Sequence, residues 1–192
     1  MRHERSGNGW LVTGYAGVIG LFALEPLLRG AGSAASLAAS GDDKDTTRDI
    51  TTAMAIAVVA PPFLRMLRFG RLPRSLALVG IGVQLAGLTT RAWSMRSLGS
   101  FYSRTLRVEA RQEVVDTGPY RWIRHPGYAG SLLVWIGFAL SSRSLPALIL
   151  VTGLFSAVYR RRVLAEELLL RRDLPGYVTY TEHSKRLIPY VW

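Results

Sequence analysis

Residues 128–159 read YAGSLLVWIGFALSSRSLPALILVTGLFSAVY, two apolar runs, Tyr128–Ser142 and Leu145–Tyr159, parted by little more than Ser-Ser-Arg-Ser-Leu-Pro. A connection that short between two helices leaves little choice but an antiparallel helical hairpin. Three further apolar stretches precede it. The first is Trp10–Leu28, interrupted only by Glu25 and Pro26; the second is Ile50–Leu64; the third is Ser75–Thr90, extensible to Trp93. A transmembrane helix needs about 20 mostly apolar residues. All five stretches come near that length, and arginines at their ends can snorkel to the interface, which helps the shorter ones. The expected fold is an all-α polytopic integral membrane protein of about five spans, with a cytoplasmic helical segment at the C-terminus.

Composition agrees. Of 192 residues 49% are hydrophobic and 19% charged, with a mean hydropathy of +0.19, too apolar for an ordinary soluble domain. The absence of cysteine excludes disulfides, thiolate metal sites and cysteine nucleophiles. The net charge of +11 suits nucleic acid or an anionic membrane surface, and the hydropathy decides for membrane lipids. The basic residues flank apolar spans and form no compact recognition module, so a nucleic-acid partner is not expected. With only His3, His125 and His183, a metal site is not expected either.

The first stretch has a competing reading as a secretory signal, since Arg2 and Arg5 precede it, but its apolar part is longer than such signals use. It is expected to be a retained helix. Ala16 with Gly20, and Gly82 with Ala86, are small-xxx-small pairs that would let helices approach closely. Gly30–Ser40 and the acidic Gly41–Asp49 read as a flexible loop. With the C-terminus cytoplasmic, most arginines fall inside, as the positive-inside rule requires. Arg65, Arg68, Arg71 and Arg74 disagree: either their loop is an exception or the second span is misassigned.

Ionisable residues gather in Arg104–Arg124 and Arg160–Arg186, on one expected side of the membrane, joined by the hairpin. In the first segment Gly118-Pro119 marks a turn, and Pro126 suits the first turn of the next helix, which holds His125 at a helix N-terminus. Free N–H groups there favour an anionic group such as a ligand carboxylate. Tyr120, Trp122 and Tyr128 offer flat faces for an adenine ring or a sulfonium, a cation over such a face gaining about 0.5–2 kcal/mol. The same residues also read as an interfacial belt of aromatics and arginines at headgroup depth. In the second segment Arg162 and Glu166 share a helix face four residues apart. They read equally as a surface salt bridge or as a pair that holds a ligand's carboxylate and ammonium. Tyr180 and His183 read as solvated surface.

Taken together, Gly118-Pro119-Tyr120-x-Trp122-Ile123-Arg124-His125-Pro126-x-Tyr128, Glu166-Glu167-x-x-Leu170, Gly176-Tyr177-x-x-Tyr180 and Arg186-Leu187-Ile188-Pro189 resemble the isoprenylcysteine carboxyl methyltransferase family, to which the phospholipid N-methyltransferases are related. The match runs from about Leu98 to Pro189, about half the chain. The resemblance implies a membrane enzyme that uses S-adenosyl-L-methionine without a Rossmann domain. The cofactor residues it nominates are Gln112, Glu113, Val114, Val115, Tyr120, His125, Pro126, Gly127, Tyr128 and Glu166. It makes Arg162 the residue that contacts a lipophilic methyl acceptor and positions it for catalysis. Gln112 departs from members with His there, and Pro175-Gly176 shortens the spacing before Tyr177. The expected organisation is one domain over 1–192, with spans one to three in 1–97 and the cofactor-binding core with its hairpin in 98–192.

Overall fold

The computed structural model describes residues 2–29, 45–67, 69–102 and 112–187. In chain order it contains α1 (Arg2–Arg29), α2 (Thr46–Met66), α3 (Arg74–Leu98), two 3-10 turns (Gly99–Phe101 and Gly118–Arg121), α4 (Pro126–Ser141), α5 (Leu145–Asp173) and α6 (Tyr177–His183). Each of the five apolar stretches is a helix. Among the described residues there is no strand, only isolated bridges at Arg71–Ser144 and Ile123–Lys185. Three helices are long and apolar enough to cross a bilayer by themselves: α1 over Gly9–Leu28, α2, and α3 carried on to Phe101. The 16 residues of α4 give about 24 Å of helix, short of the roughly 30 Å hydrocarbon core.

Of the small residues expected at helix contacts, Gly20 meets Leu88 of α3, and the closest approaches are made elsewhere. Gly82 faces open space and Ala16 and Ala86 are exposed, while Gly80 and Gly87 of α3 meet Gly137 and Gly130 of α4. A methyl group added to Gly80 would lie 2.6 Å from the Gly137 carbonyl oxygen, and one added to Gly87 2.6 Å from that of Gly130. The two backbones therefore touch, at positions seven residues apart on both helices, a spacing that a search for small residues four apart passes over. On α1 it is Gly14 and Gly17 that admit a neighbour, the Gln84 side chain reaching across from α3 to donate to the Gly14 carbonyl at 2.9 Å. Such interhelical bonds satisfy polar groups that lipid cannot.

In α2, Pro62 has no N–H for the Val58 carbonyl four residues back. The Tyr15 hydroxyl of α1 takes that carbonyl at 2.7 Å, so the proline-proline pair is accommodated without leaving the helix. The core between α4 and α5 is aromatic: Trp135 and Phe155 stack at 4.6 Å and Phe155 leads to Tyr159 at 5.4 Å.

Gly30–Ser40, Gly41–Lys44, Arg68 and Arg104–Arg111 lie outside the described residues. The rest of the expected acidic loop is a helix start: Asp45 precedes α2 and Asp49 sits in its first turn, where the helix dipole favours a carboxylate. Asp49 also pairs with Arg161 of α5.

The loop after α2 packs on the α4–α5 turn. The Leu72 N–H donates to the Arg143 carbonyl at 3.0 Å and the Leu145 N–H to the Gly70 carbonyl at 2.9 Å. This places Arg65, Arg71 and Arg74 at the same end as Arg143. Ile50–Leu64 lies within one helix, α2, which is long and apolar enough to cross a membrane.

Candidate functional site

At the opposite end the chain is tied by a strap. Residues 184–187 run alongside Trp122–His125: the Arg124 N–H donates to the Lys185 carbonyl at 2.7 Å, the His125 N–H to the Arg186 carbonyl at 3.0 Å, and the Lys185 N–H to the Trp122 carbonyl at 3.0 Å. Beneath the strap lies Glu167, only 3% exposed. Its carboxylate accepts from Arg124 Nε at 2.8 Å and from Arg186 Nε at 2.9 Å, with His125 Nε2 at 3.5 Å. Burial alone would raise its pKa; the hydrogen bonds from His125, Arg186 and Arg124 outweigh burial and hold it down at about 2.

Gly176, with φ +81°, makes the turn into α6 in the left-handed region that favours glycine. This turn brings Tyr177 and Tyr180 onto Leu174, Val114 and Leu170. The Tyr180 hydroxyl donates to the Tyr120 carbonyl at 2.6 Å, and the Tyr120 hydroxyl bonds Ser94 of α3 at 2.6 Å. Burial raises the pKa of both phenols, Tyr120 well above the ordinary value and Tyr180 to about 12, so both stay protonated at neutral pH. Tyr180 is therefore a buried strut, a correction to its reading as solvated surface: α6 packs back onto the 112–116 segment, which its own sequence does not show.

These elements enclose a cavity of about 350 Å³. Gln112, Glu113, Val114, Val115, Tyr120, His125, Gly127, Tyr128, Arg162 and Glu166 all line it. Pro126 does not; it is fully buried at the first position of α4, where it fixes the backbone that presents His125. Arg162 and Glu166 meet through a third residue. Arg162 Nε donates to the Tyr128 hydroxyl at 3.1 Å, and that hydroxyl donates to Glu166 Oε2 at 2.8 Å. Arg162 is almost fully buried, and its Nη1 also bonds the hydroxyls of Thr46 at 2.7 Å and Thr47 at 3.2 Å, which ties α5 to the start of α2. Leu21 and Phe22 of α1 with Ile50 and Met54 of α2 supply an apolar wall.

Whether these residues fit S-adenosyl-L-methionine can be judged from atoms left open. Tyr177 Oη is buried without a hydrogen-bond partner among the described residues, and Tyr177 lines the cavity; His125, which lines it too, is held by Glu167 through Nε2 at 3.5 Å. Unsatisfied buried polar atoms are costly and mark places where a ligand completes the bonding. Carboxylates at Glu113 and Glu166 suit the cofactor's ammonium and sulfonium charges, and Tyr120, Tyr128 and Tyr177 offer apolar faces. The donor set fits.

Several lining residues are not apparent from motif spacing. Arg91, Ser94 and Tyr102 enter from α3 and the turn after it, Glu25 from α1, and Thr47 from α2. The visible signals were a carboxylate inside an apolar stretch, Glu25, and an arginine at the end of another, Arg91. Among the described residues no cluster of three His, Asp or Glu could hold a metal ion.

The model of the phospholipid methyltransferase family matches residues 76–174, from α3 through the end of α5. Among curated proteins the chain is 36% identical over 58 residues to the uncharacterized protein YpbQ of Bacillus subtilis strain 168, a match covering 30% of this chain and 32% of that one. It is 27% identical over 77 residues to the nickel-cobalt-cadmium resistance protein NccN of Alcaligenes xylosoxydans xylosoxydans, covering 40% of this chain and 36% of that one. The matched stretches thus span about a third of each relative's length. Among solved structures the fold is similar to the eukaryotic intramembrane Ras methyltransferase, isoprenylcysteine carboxyl methyltransferase. The TM-score is 0.62 at 17% identity, over 88% of this chain and 60% of that one.

Proposed function

The chain belongs to the phospholipid methyltransferase family, and from that membership we propose that it is a membrane methyltransferase that uses S-adenosyl-L-methionine to methylate the carboxylate of a lipophilic acceptor such as an isoprenylcysteine. One observation carries the reading: the chain Arg162–Tyr128–Glu166, beside His125, lies in the wall of a cavity that apolar residues of α1 and α2, Leu21, Phe22, Ile50 and Met54, also line. The cofactor supplies an already activated methyl group. The protein's task is then to position and to exclude water, and oriented proximity supplies on the order of 7–11 kcal/mol.

Gln112, Glu113, Val114, Val115, Tyr120, His125, Gly127, Tyr128 and Glu166 form the proposed cofactor wall, with Tyr177 as an addition from the structure. Pro126 supports it from behind. Arg162 orients the acceptor's carboxylate, which is ionised at neutral pH and so needs no general base. Leu21, Phe22, Ile50 and Met54 accommodate its hydrocarbon. The whole chain acts as one domain, with α1–α3 walling the chamber that the hairpin, the strap and α6 complete. The excess of arginine at the site end supports a cytoplasmic active site.

A second reading, transfer to a lipid amine, is favoured by Glu25, a carboxylate 4% exposed in the same wall. An amine must lose its proton before attack, so transfer would accelerate as pH rises through the amine's titration, whereas a carboxylate acceptor gives a flat profile above about pH 5.

The test is calorimetric titration of S-adenosylhomocysteine into the detergent-purified protein and into Glu166→Ala and His125→Ala. Saturable binding weakened about tenfold or more in both, with folding retained, is the expected result. Binding that is unchanged in both variants would sink the proposal.

A further inference from the structure

Among the described residues every hydrogen-bond partner of Arg91 is neutral. Its Nη1 donates to the Gly127 carbonyl at 3.2 Å and to Ser131 Oγ at 2.8 Å, and its Nη2 to the Tyr102 hydroxyl at 2.8 Å, with the guanidinium 6.0 Å from the centre of the Tyr102 ring. Its Nε is buried with no partner, and no carboxylate among the described residues pairs with it, although Glu25 and Glu166 line the same cavity. Arg124 and Arg186, by contrast, share the carboxylate of Glu167.

A guanidinium partly withdrawn from water with no counter-ion among the described residues is costly, and an ionisable residue on a spanning helix that faces the bundle interior marks a ligand or ion path. The geometry is a cradle. Two nitrogens are fixed by backbone and hydroxyl groups, which orients the planar group for an incoming oxyanion.

Depth says which ligand brings that oxyanion. α3 runs toward the site end, and Arg91 stands seven residues before its last residue, Leu98, about 10 Å back along the axis. Ser131 is likewise six residues past His125 on α4, and Tyr159, which also lines the cavity, seven before Glu166 on α5. Arg91, Ser131 and Tyr159 therefore form a tier deeper in the bundle than His125 and Glu166. A water-soluble cofactor occupies the outer tier, and the deeper one is left to the lipophilic ligand.

We propose that Arg91 is a second anion-binding residue of the cavity, which holds a carboxylate or phosphate oxyanion of the lipophilic acceptor one tier below the cofactor wall. This rests on the reading of the cavity as a methyltransferase chamber. It narrows the acceptor to amphiphiles that carry an anionic group near the transferred methyl.

The test uses the full chain in neutral detergent with dodecanoate, dodecyl phosphate and dodecanol as probes, beside S-adenosylhomocysteine. The wild-type protein is expected to bind at least one anionic probe about tenfold more tightly than the alcohol. Arg91→Gln should abolish that preference while its S-adenosylhomocysteine affinity stays within about twofold, and Arg91→Lys should keep part of the preference. Tyr102→Phe and Ser131→Ala keep the charge and should keep most of the preference, which covers the case in which Arg91→Gln does not fold.

Weakened S-adenosylhomocysteine binding in Arg91→Gln with the amphiphile preference intact would assign the cation to the cofactor's carboxylate and overturn the proposal. No change in either ligand would make Arg91 a structural cation and overturn it as well. A wild-type protein that ignores S-adenosylhomocysteine yet shows an Arg91-dependent anion preference would refute the methyltransferase reading alone.

Discussion

At the turn end of the bundle the loop after α2 and the turn between α4 and α5 are joined by backbone hydrogen bonds, from Leu72 to Arg143 and from Leu145 to Gly70. At the site end the comparable contact, Trp122–His125 against residues 184–187, also has backbone bonds but is centred on a buried carboxylate that serves two arginines and a histidine. The orphaned atoms separate the ends further. Among the described residues those of Arg91 and Tyr177 belong to residues that line the cavity, those of Trp10, Trp135 and Thr152 do not, and none belongs to the loop and turn contact. Backbone pairing satisfies both partners at once and asks nothing of side-chain charge. A buried polar network is strong when complete and costly when one member is missing. The molecule places the first kind of joint where it only has to hold, and the second where a ligand has to bind.

The largest expected effect comes from removing the centre of the network. Glu167→Ala leaves Arg124 with no carboxylate and Arg186 half-freed, and breaking a buried ion pair from one side costs about 3–5 kcal/mol. Because Arg186 is a third exposed, we expect about 3 kcal/mol, read by unfolding in mixed micelles. A loss under about 1 kcal/mol would erase the contrast between the ends.

Acid should act the same way. Glu167 is held at about 2, below its ordinary 4.5, so its contribution is present in full above about pH 4.5 and is lost as pH falls toward 2. Hydrogen exchange at pH 6 and pH 3 should show residues 177–187 opening on acidification, while residues 70–72 and 143–145 stay protected. Opening of both ends together would contradict the assignment.

Gly80→Ala tests the helix contact between the ends. The added carbon would meet backbone atoms of Gly137 and Ser141 at 2.6 and 3.0 Å, and neither can rotate away. Overpacking of this kind costs about 1–3 kcal/mol, and S-adenosylhomocysteine binding should be unchanged because no cavity residue moves directly.

The helices were legible because apolar runs and their breaks are local properties. Pro126 starts α4 and Ser-Ser-Arg-Ser turns the hairpin, both as the sequence implies. What escaped were relations between distant residues. Gly80 and Gly87 differ from Gly82 only in which way α3 is rotated, and that is set by Gly130 and Gly137 on another helix. Glu166 and Glu167 are adjacent letters about 100° apart around α5, so one bonds Tyr128 in the cavity and the other anchors the strap. Arg91 shows in sequence only as an arginine at the edge of an apolar run; its cradle comes from α4 and from Tyr102.

The smallest expected effect lies at the turn end and bounds the comparison from below. Ser144 precedes α5 and its hydroxyl accepts from the Ala147 N–H at 3.4 Å, a long cap bond in a buried position. Replacement of such a cap by alanine costs about 0.5–2 kcal/mol, and the length of this bond argues for the lower end, about 0.5–1 kcal/mol. The Leu145 N–H to Gly70 bond is made by backbone and survives Ser144→Ala, so the joint persists. Unfolding in mixed micelles measures the cost. A loss as large as that of Glu167→Ala would mean that the turn end also hangs on one side chain, and the two ends would then differ in composition but not in kind.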